Sequence, residues 1–303
     1  MAHFDIIIPA YNAARFLPSA LESVMRQTYP DWRIILVNDG SSDETADIGL
    51  AFQQRLGSKM LLINQENRGL SASRNVAIQH STAPLLALLD ADDVWLPNRL
   101  EESRQRFENS RVGLAYGFVS LIDVEGNVLR TQDPQDQLDE GAIASAIYTR
   151  SVNLPCPTIS FRSECVREVG GFDETMRASE DRDLWLRIAL KHDVARIPSV
   201  IALYRVSPGS MSADIDRMSA AQLGFIEKHR ALPAFTAKEH RIAVSSVYRQ
   251  RAESLEERGQ FWNALVSAVR AFTFSPQPRN LRAAMSAFFH MSRSVKKAFR
   301  SSP

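Results

Sequence analysis

The chain has 303 residues, with 36 Lys and Arg against 35 Asp and Glu, so it has room for one large globular domain plus an appendage. Two cysteines, Cys156 and Cys165, stand at no metal-ligand spacing, which excludes a disulfide framework or a zinc cage and points to a reducing compartment. The N-terminal stretch has neither a basic segment nor a signal-length apolar core, and no window reaches the ~18 uninterrupted apolar residues of a membrane span. The expected location is the cytoplasm.

Phe4 to Ile8 reads as a β-branched strand ended by Pro9, followed by the polar turn Ala10-Tyr11-Asn12. A helix then carries Phe16, Leu17, Ala20, Leu21 and Val24 on one face and stops before Tyr29-Pro30. A second apolar run delivers Asn38, Asp39 and Gly40 to its carboxyl end, and Ser42 or Asp43 is placed to cap the next helix. A strand at Leu61 to Ile63 leads into a helix from about Ser71 to His80.

The stretch P-L-L-A-L-L-D-A-D-D-V-W-L-P, from Pro84 to Pro97, follows. It runs from a buried strand straight into Asp90, Asp92 and Asp93. Carboxylates crowded at the end of a buried strand repel one another unless a cation compensates them. A small set of hard oxygen ligands suits Mg²⁺ or Mn²⁺ carrying a substrate's phosphates. The alternative is an acidic turn that starts the helix after Pro97.

Alternating strands and helices predict an α/β domain with a mostly parallel, Rossmann-like sheet, whose ligands sit beyond the carboxyl ends of the strands. All three polar clusters fall at such ends. No G-x-G-x-x-G follows the first strand and no G-x-x-x-x-G-K-[ST] is present, which argues against a dinucleotide fingerprint or a P-loop. Further on, Arg99 to Phe107 reads as a helix, Val112 to Ile122 as a strand, D-V-E-G-N-V as a hairpin turn and Gln132 to Glu140 as an acidic loop. The helix in A-S-E-D-R-D-L-W-L-R-I-A-L has Glu180, Asp181 and Asp183 in its first turn. They either serve the helix dipole or supply a general base to the pocket.

The segments I-I-I-P-A-Y-N, V-N-D-G-S-S-D, N-R-G-L-S-A-S-R-N, L-D-A-D-D, V-G-G-F-D-E and S-E-D-R-D-L-W-L-R, over residues 4–205, resemble a family-2 glycosyltransferase of the GT-A fold. The resemblance implies an inverting transferase of bacterial-type polysaccharide or glycan biosynthesis. It would move a sugar from a nucleoside diphosphate donor, usually a uridine one, to an acceptor hydroxyl. It implies that Asp39 binds the donor's base, with Pro9, Tyr11 and Asn12 as the pocket wall and Arg74 beside base and phosphates. Asp90 would meet the ribose, Asp92 the divalent metal, and Asp181 would be the catalytic base with Glu180 beside it. Family members often carry Tyr-Arg-x-His after this helix, where this chain has Tyr204-Arg205-Val206-Ser207. Arg205 is then a phosphate contact, and Ser207 is a poorer ligand than imidazole. The loop Gln132 to Glu140 and the segment Asn153 to Arg162 are the expected places for acceptor contacts.

The expected domains are residues 1–214, catalytic, and residues 215–303, a helical extension. The extension has 15 Lys and Arg against 6 Asp and Glu, and the preceding 214 residues have 21 against 29. Arg241 to Arg258 and Gln260 to Phe272, joined by Gly259, resemble one tetratricopeptide-like hairpin. Leu281 to Arg300 mixes Met285, Phe288, Phe289, Met291, Val295 and Phe299 with basic residues. It predicts an amphipathic helix, either packed on the acidic body or lying at the inner face of the plasma membrane, where a lipid-linked saccharide would be the acceptor. Two rivals to the transferase are a non-catalytic relative that binds nucleotide sugar and a sugar nucleotidyltransferase. A nucleic-acid partner lacks any reader motif.

Overall fold

In a computed structural model, residues 3–207 and 214–300 are described, with side chains through Arg293. The chain divides into two units. The first comprises Met1–Ala144 and Asn153–Pro208, and the second Ser145–Val152 and Gly209–Pro303.

The elements of the first unit are β1 (Phe4–Ala10), α1 (Leu17–Met25), β2 (Trp32–Asp39), α2 (Thr45–Leu56), β3 (Met60–Gln65), α3 (Leu70–Gln79), β4 (Leu85–Leu88), β5 (Val94–Trp95), α4 (Arg99–Arg106), β6 (Val112–Ile122) and β7 (Val128–Thr131). After α5 (Ala144–Thr149), most of which belongs to the second unit, come β8 (Ser160–Arg162), α6 (Ser163–Glu168), α7 (Glu180–Ala189) and β9 (Asp193–Arg205). The sheet runs β3-β2-β1-β4-β8-β6-β9-β5, with β7 added on β6. Its first four strands are parallel, as the strand–helix alternation predicts. Beyond β4 it is mixed: β8 is antiparallel to both β4 and β6, and β9 is parallel to β6.

Strands β1, β2 and β4 are apolar along almost their whole length because helices cover both faces of a parallel sheet. Asp5 interrupts the apolar run of β1 and is fully buried. Its carboxylate is paired with Arg33 of β2 at 2.8 Å and accepts the backbone N–H groups of Thr82 and Ala83 ahead of β4. The buried charge is thus satisfied on every side, and it ties three strands at their amino ends.

Pro9 does not end its strand. It pairs with Val37 inside β1. The Ile7 carbonyl accepts from Leu89, and the β1–β4 register stops at Ile7, so the Pro9 nitrogen faces the side where β4 has already left the ladder. A missing N–H costs nothing there.

The second unit contains α8 (Ile215–Lys228), α9 (Ala237–Glu257), α10 (Phe261–Phe274) and α11 (Pro278–Arg300), and it takes in residues 145–152 from the middle of the chain. Tyr148, buried in that insert, stacks on Phe235 at 4.0 Å and lies 3.0 Å from the His240 Nδ1. Thr236 and Glu239 form a reciprocal capping box at the start of α9. Gly259, at φ +73°, makes the turn into α10, where a residue with a Cβ would be strained. The expected boundary at 214/215 therefore differs from this division in two places: the second unit starts at Gly209, and it also takes residues 145–152, where Tyr148 packs on Phe225 and Phe235. The side chains of Val295, Lys296, Lys297, Phe299 and Arg300 lie outside the described residues.

Candidate functional site

The carboxyl ends of β1 and β2 are fastened together by their own polar side chains. Asn12, in the left-handed region at φ +48°, donates its N–H to the Ser41 Oγ and accepts from the Ser42 N–H, both at 2.9 Å. Asp43 accepts from the Thr45 N–H at the start of α2 and, with its other oxygen, from the Ala14 N–H. Gly40 sits at φ +70°, where a Cβ would come within 2.7 Å of the Asn67 nitrogen, so the turn excludes every other residue. Pro9 is buried below this turn, while Tyr11 stands exposed above it.

Asp39, at the end of β2, is buried and organises the loop entering α3. Its Oδ1 accepts from the Gln65 Nε2 at 2.7 Å and the Arg68 N–H at 2.9 Å, and its Oδ2 accepts from the Gly69 N–H at 2.8 Å. A carboxylate offers about four acceptor positions. Three are in use, which leaves one on Oδ2 without a partner among the described residues.

Arg74 of α3 occupies the centre of the site. Its side chain is 2% exposed. It pairs with Asp90 at 2.6 Å and with Glu180 at 3.4 Å, and it donates to the Cys156 Sγ at 3.2 Å, its guanidinium lying 5.2 Å from the Phe172 ring centroid. Burial works to lower its pKa, but Asp90, then Cys156 and Glu180, outweigh that and raise it, so the cation is permanent. The sequence reading put Arg74 beside base and phosphates. The structure places it inside the wall, because a guanidinium this deeply desolvated needs fixed anionic partners. Glu180 also lies within the wall, 6% exposed. Its carboxyl is pushed up by burial first and the neighbouring Asp181 second, with Arg74 opposing both.

The turn after β4 holds its three carboxylates in different surroundings. Asp90 is engaged by Arg74. Asp92 is half-buried, and burial together with the charge of Asp90 pushes its carboxyl up to about 6. Asp93 is buried: its Oδ1 accepts the Arg205 N–H at 2.8 Å and its Oδ2 has no hydrogen-bond partner among the described residues. Burial, then Asp90 and Asp92, raise its carboxyl strongly.

Arg205, expected at phosphate, donates its Nε to the Asp92 carbonyl at 2.8 Å and its Nη1 to the Asp123 and Val124 carbonyls at 2.8 and 3.2 Å, over the Phe16 ring. These contacts clamp the acidic turn to the β6–β7 turn. Ser207 lies two residues beyond the end of β9, half-buried.

Helix α7 is preceded by Ser179 at its N-cap, held at φ +63°, an unusual conformation for serine. Asp181 in the first turn is half-buried and accepts the Arg182 N–H at 2.6 Å. Asp183, by contrast, is fully buried and paired with Arg187, which also donates to the Val169 and Gly171 carbonyls.

Two contributors were not singled out from sequence. Cys156 meets Arg74, and the P-C-P run gives no hint of it. Asn75 joins two of the sequence motifs: its amide donates to the Phe172 carbonyl and accepts the Phe172 N–H, at 2.9 and 2.8 Å. A Cβ at Gly171 would come within 2.7 Å of that amide oxygen. The S-R-N and G-G-F segments therefore have to match each other, which is a through-space requirement.

Among the described residues no three His, Cys, Asp or Glu side chains form a metal cage. What is present is a half-buried Asp92 next to Asp93, whose Oδ2 lacks a partner among the described residues. Mg²⁺ and Mn²⁺ accept one or two carboxylates when substrate phosphates and water complete the shell, so the residues fit a cation that shares a phosphate ligand.

Fold and site together define a GT-A-type sheet with an acidic turn at its switch region. Solved structures similar in fold include S. aureus TarS in complex with UDP, at TM-score 0.63 and 16% identity over 99% of this chain and 91% of that one. Another is the mannosyltransferase PcManGT from Pyrobaculum calidifontis in complex with GDP-Man and Mn²⁺, at TM-score 0.65 and 17% identity over 99% and 88%. The sequence model of Glycosyl transferase family 2 matches residues 5–167, and the chain belongs to that family.

An uncharacterized glycosyltransferase of Rickettsia prowazekii is 31% identical over 60% of this chain. The UDP-Glc:alpha-D-GlcNAc-diphosphoundecaprenol beta-1,3-glucosyltransferase WfgD of Escherichia coli is 27% identical over 69% of this chain and 79% of its own length. The chain spans 57% of the R. prowazekii relative and 31% of those from R. felis and R. conorii.

Proposed function

We propose that the first unit transfers a sugar, with inversion at its anomeric carbon, from a nucleoside diphosphate donor to an acceptor hydroxyl, with UDP as the nucleotide. The observation that carries this reading is the position of Arg74. One buried cation holds Asp90 of the acidic turn and Glu180 of the α7 start, so the donor-side carboxylates and the carboxylate next to them on α7 belong to one rigid constellation. The acceptor is a saccharide or lipid-linked saccharide of cell-surface polysaccharide or oligosaccharide assembly, in keeping with the lipid diphosphate in the WfgD name. The compartment is the cytoplasm, in keeping with two free, buried cysteines.

In this reading the free acceptor position on Asp39 takes an N–H of the base, between Pro9, Tyr11 and Asn12, and Asp90 accepts from the ribose. Asp92 holds Mg²⁺ or Mn²⁺, which when bound supplies Lewis-acid neutralisation of the departing diphosphate. Asp181 takes the proton of the acceptor hydroxyl as its oxygen attacks the anomeric carbon, and Glu180 keeps the helix start locked to Arg74. Arg74 and Arg205 position the acidic turn rather than touch substrate.

Calorimetric titration of UDP, with and without Mn²⁺, tests the reading. Binding is expected with Mn²⁺ and is expected to weaken at least about tenfold in Asp92→Ala. No UDP binding with any metal would point to another nucleotide or to the non-catalytic relative, with Ser207 the first residue to test.

A second expectation concerns stability without metal. The Asp92 pKa is raised from 3.8 to about 6, so protonation stabilises the fold. That contribution is present in full below the unfolded value and is lost as pH rises through the folded one. Asp92→Asn imitates the protonated form. In EDTA it is expected to stabilise the protein by up to about 3 kcal/mol at pH 8, with the gain shrinking as pH falls through 6 toward 4. Thermal melts of both proteins at several pH values check this. A gain independent of pH would mean that Asp92 is not electrostatically frustrated.

A further inference from the structure

In the second unit, α10 and α11 are inverted with respect to size. The buried face of α10 is Ala264, Ser267, Ala268 and Ala271, and Ala287 is the buried residue of α11 on the same core. Small residues there let the helices approach closely, and on the α9 side of α10 the Ser245 Oγ donates to the Ala271 carbonyl. The large apolar residues stand outside: Trp262 is 66% exposed, Met285 63%, Phe288 57% and Phe289 53%, with Val266, Val269 and Leu281 also exposed. Positions 262, 266 and 269, and 281, 285, 288 and 289, each form one stripe at helical spacing, which normally marks the face turned to a core.

The two stripes run side by side. Residues Ser275–Gln277 join the helices, and the Phe261 ring meets the His290 ring at 5.8 Å. In an antiparallel pair with equal rise per residue, that contact sets Trp262 level with Phe289 and Val266 level with Met285.

Charge selects what covers this surface. The last acidic residue in the sequence is Glu257, after which the charged side chains are all basic. Arg279, Arg282 and Arg293 are exposed, and Arg293 lies over the Phe289 ring at 4.8 Å. A second copy docked face to face would bring these cations together with no carboxylate among them. Aromatic and aliphatic side chains flanked by arginine, without acids, match the boundary between lipid headgroups and acyl chains. Among the described residues no helix is long and apolar enough to cross a membrane, so the contact lies along the surface.

We propose that the exposed face of α10 and α11 docks on an anionic lipid bilayer. Trp262, Val266, Met285, Phe288 and Phe289 enter the headgroup boundary, and Arg282 and Arg293 meet lipid phosphates. This surface is independent of the transfer reading.

The tryptophans provide the test. Trp32, Trp95 and Trp185 are 6%, 2% and 2% exposed, so a change in emission on binding reports Trp262. The full chain is mixed with phosphatidylglycerol–phosphatidylcholine vesicles and with pure phosphatidylcholine vesicles, and followed by emission and co-sedimentation. A blue shift and sedimentation with the anionic vesicles are expected, reduced by salt, with the shift absent in Trp262→Ser. The double variant Arg282→Gln, Arg293→Gln is expected to partition about thirtyfold more weakly. Far-UV dichroism confirms that the variants keep their helices. Equal partitioning to neutral vesicles, or none to anionic ones, overturns the proposal. So does a dimer in solution that Trp262→Ser dissociates, which would assign the face to a second copy.

Discussion

Asp181→Asn is expected to lower the transfer rate about 10³-fold or more while UDP affinity stays within about threefold of the parent. The substitution is nearly isosteric, and the asparagine oxygen still accepts the Arg182 N–H that the Asp181 Oδ1 accepts at 2.6 Å, so the α7 start keeps its geometry. What is lost is the ability to take a proton. Glu180 is poorly placed to substitute, since it is buried and held by Arg74, whereas Asp181 retains an exposed portion. Single-turnover transfer and calorimetric UDP binding on the same preparation separate the two effects. Loss of UDP binding would put Asp181 in the nucleotide site. Transfer retained at near-parental rate would place the base elsewhere and return the α7 carboxylates to a helix-dipole role.

The elements that position this site were legible wherever a short-range rule decided them. Strand β6 spans Val112–Ile122 as the apolar run predicts, and α3 begins one residue before the expected Ser71. The polar clusters at the ends of β1, β2 and β4 stood out because polar residues directly after buried strands are rare without a ligand or a partner. What local rules could not give were the partners. Arg74 and Glu180 are 106 residues apart, and the Arg205 N–H reaches Asp93 across 112. Sequence marks such arginines as cationic and near the site, and from that alone a phosphate contact is the natural assignment. In the structure both arginines are buried and their guanidinium groups are engaged by protein groups distant in sequence, which no short-range rule foresees. The same holds for residues 145–152, where nothing local distinguishes Tyr148 as a core residue of the helical unit from an ordinary residue of the first.

Arg74→Met is expected to destabilise the first unit by about 3–5 kcal/mol, because Asp90 and Glu180 then lose their common cation in a desolvated setting. The methionine fills most of the volume, so the cost is electrostatic rather than a cavity. Glu180 makes the sharper test. Burial and Asp181 already push its carboxyl up against the pull of Arg74, and removing that pull raises it further, so in Arg74→Met it should take a proton. The penalty of the variant should then shrink as pH is lowered, and Glu180→Gln should remove the same part of it at neutral pH. In a double-mutant cycle, Arg74→Met with Glu180→Gln should be more stable than the sum of the single changes by about 1–3 kcal/mol. Denaturant melts of the four proteins measure this coupling. Strict additivity would show that Arg74 is held in place by Asp90 alone, and the link between the acidic turn and the α7 start would have to run through the Phe172 and Cys156 contacts instead.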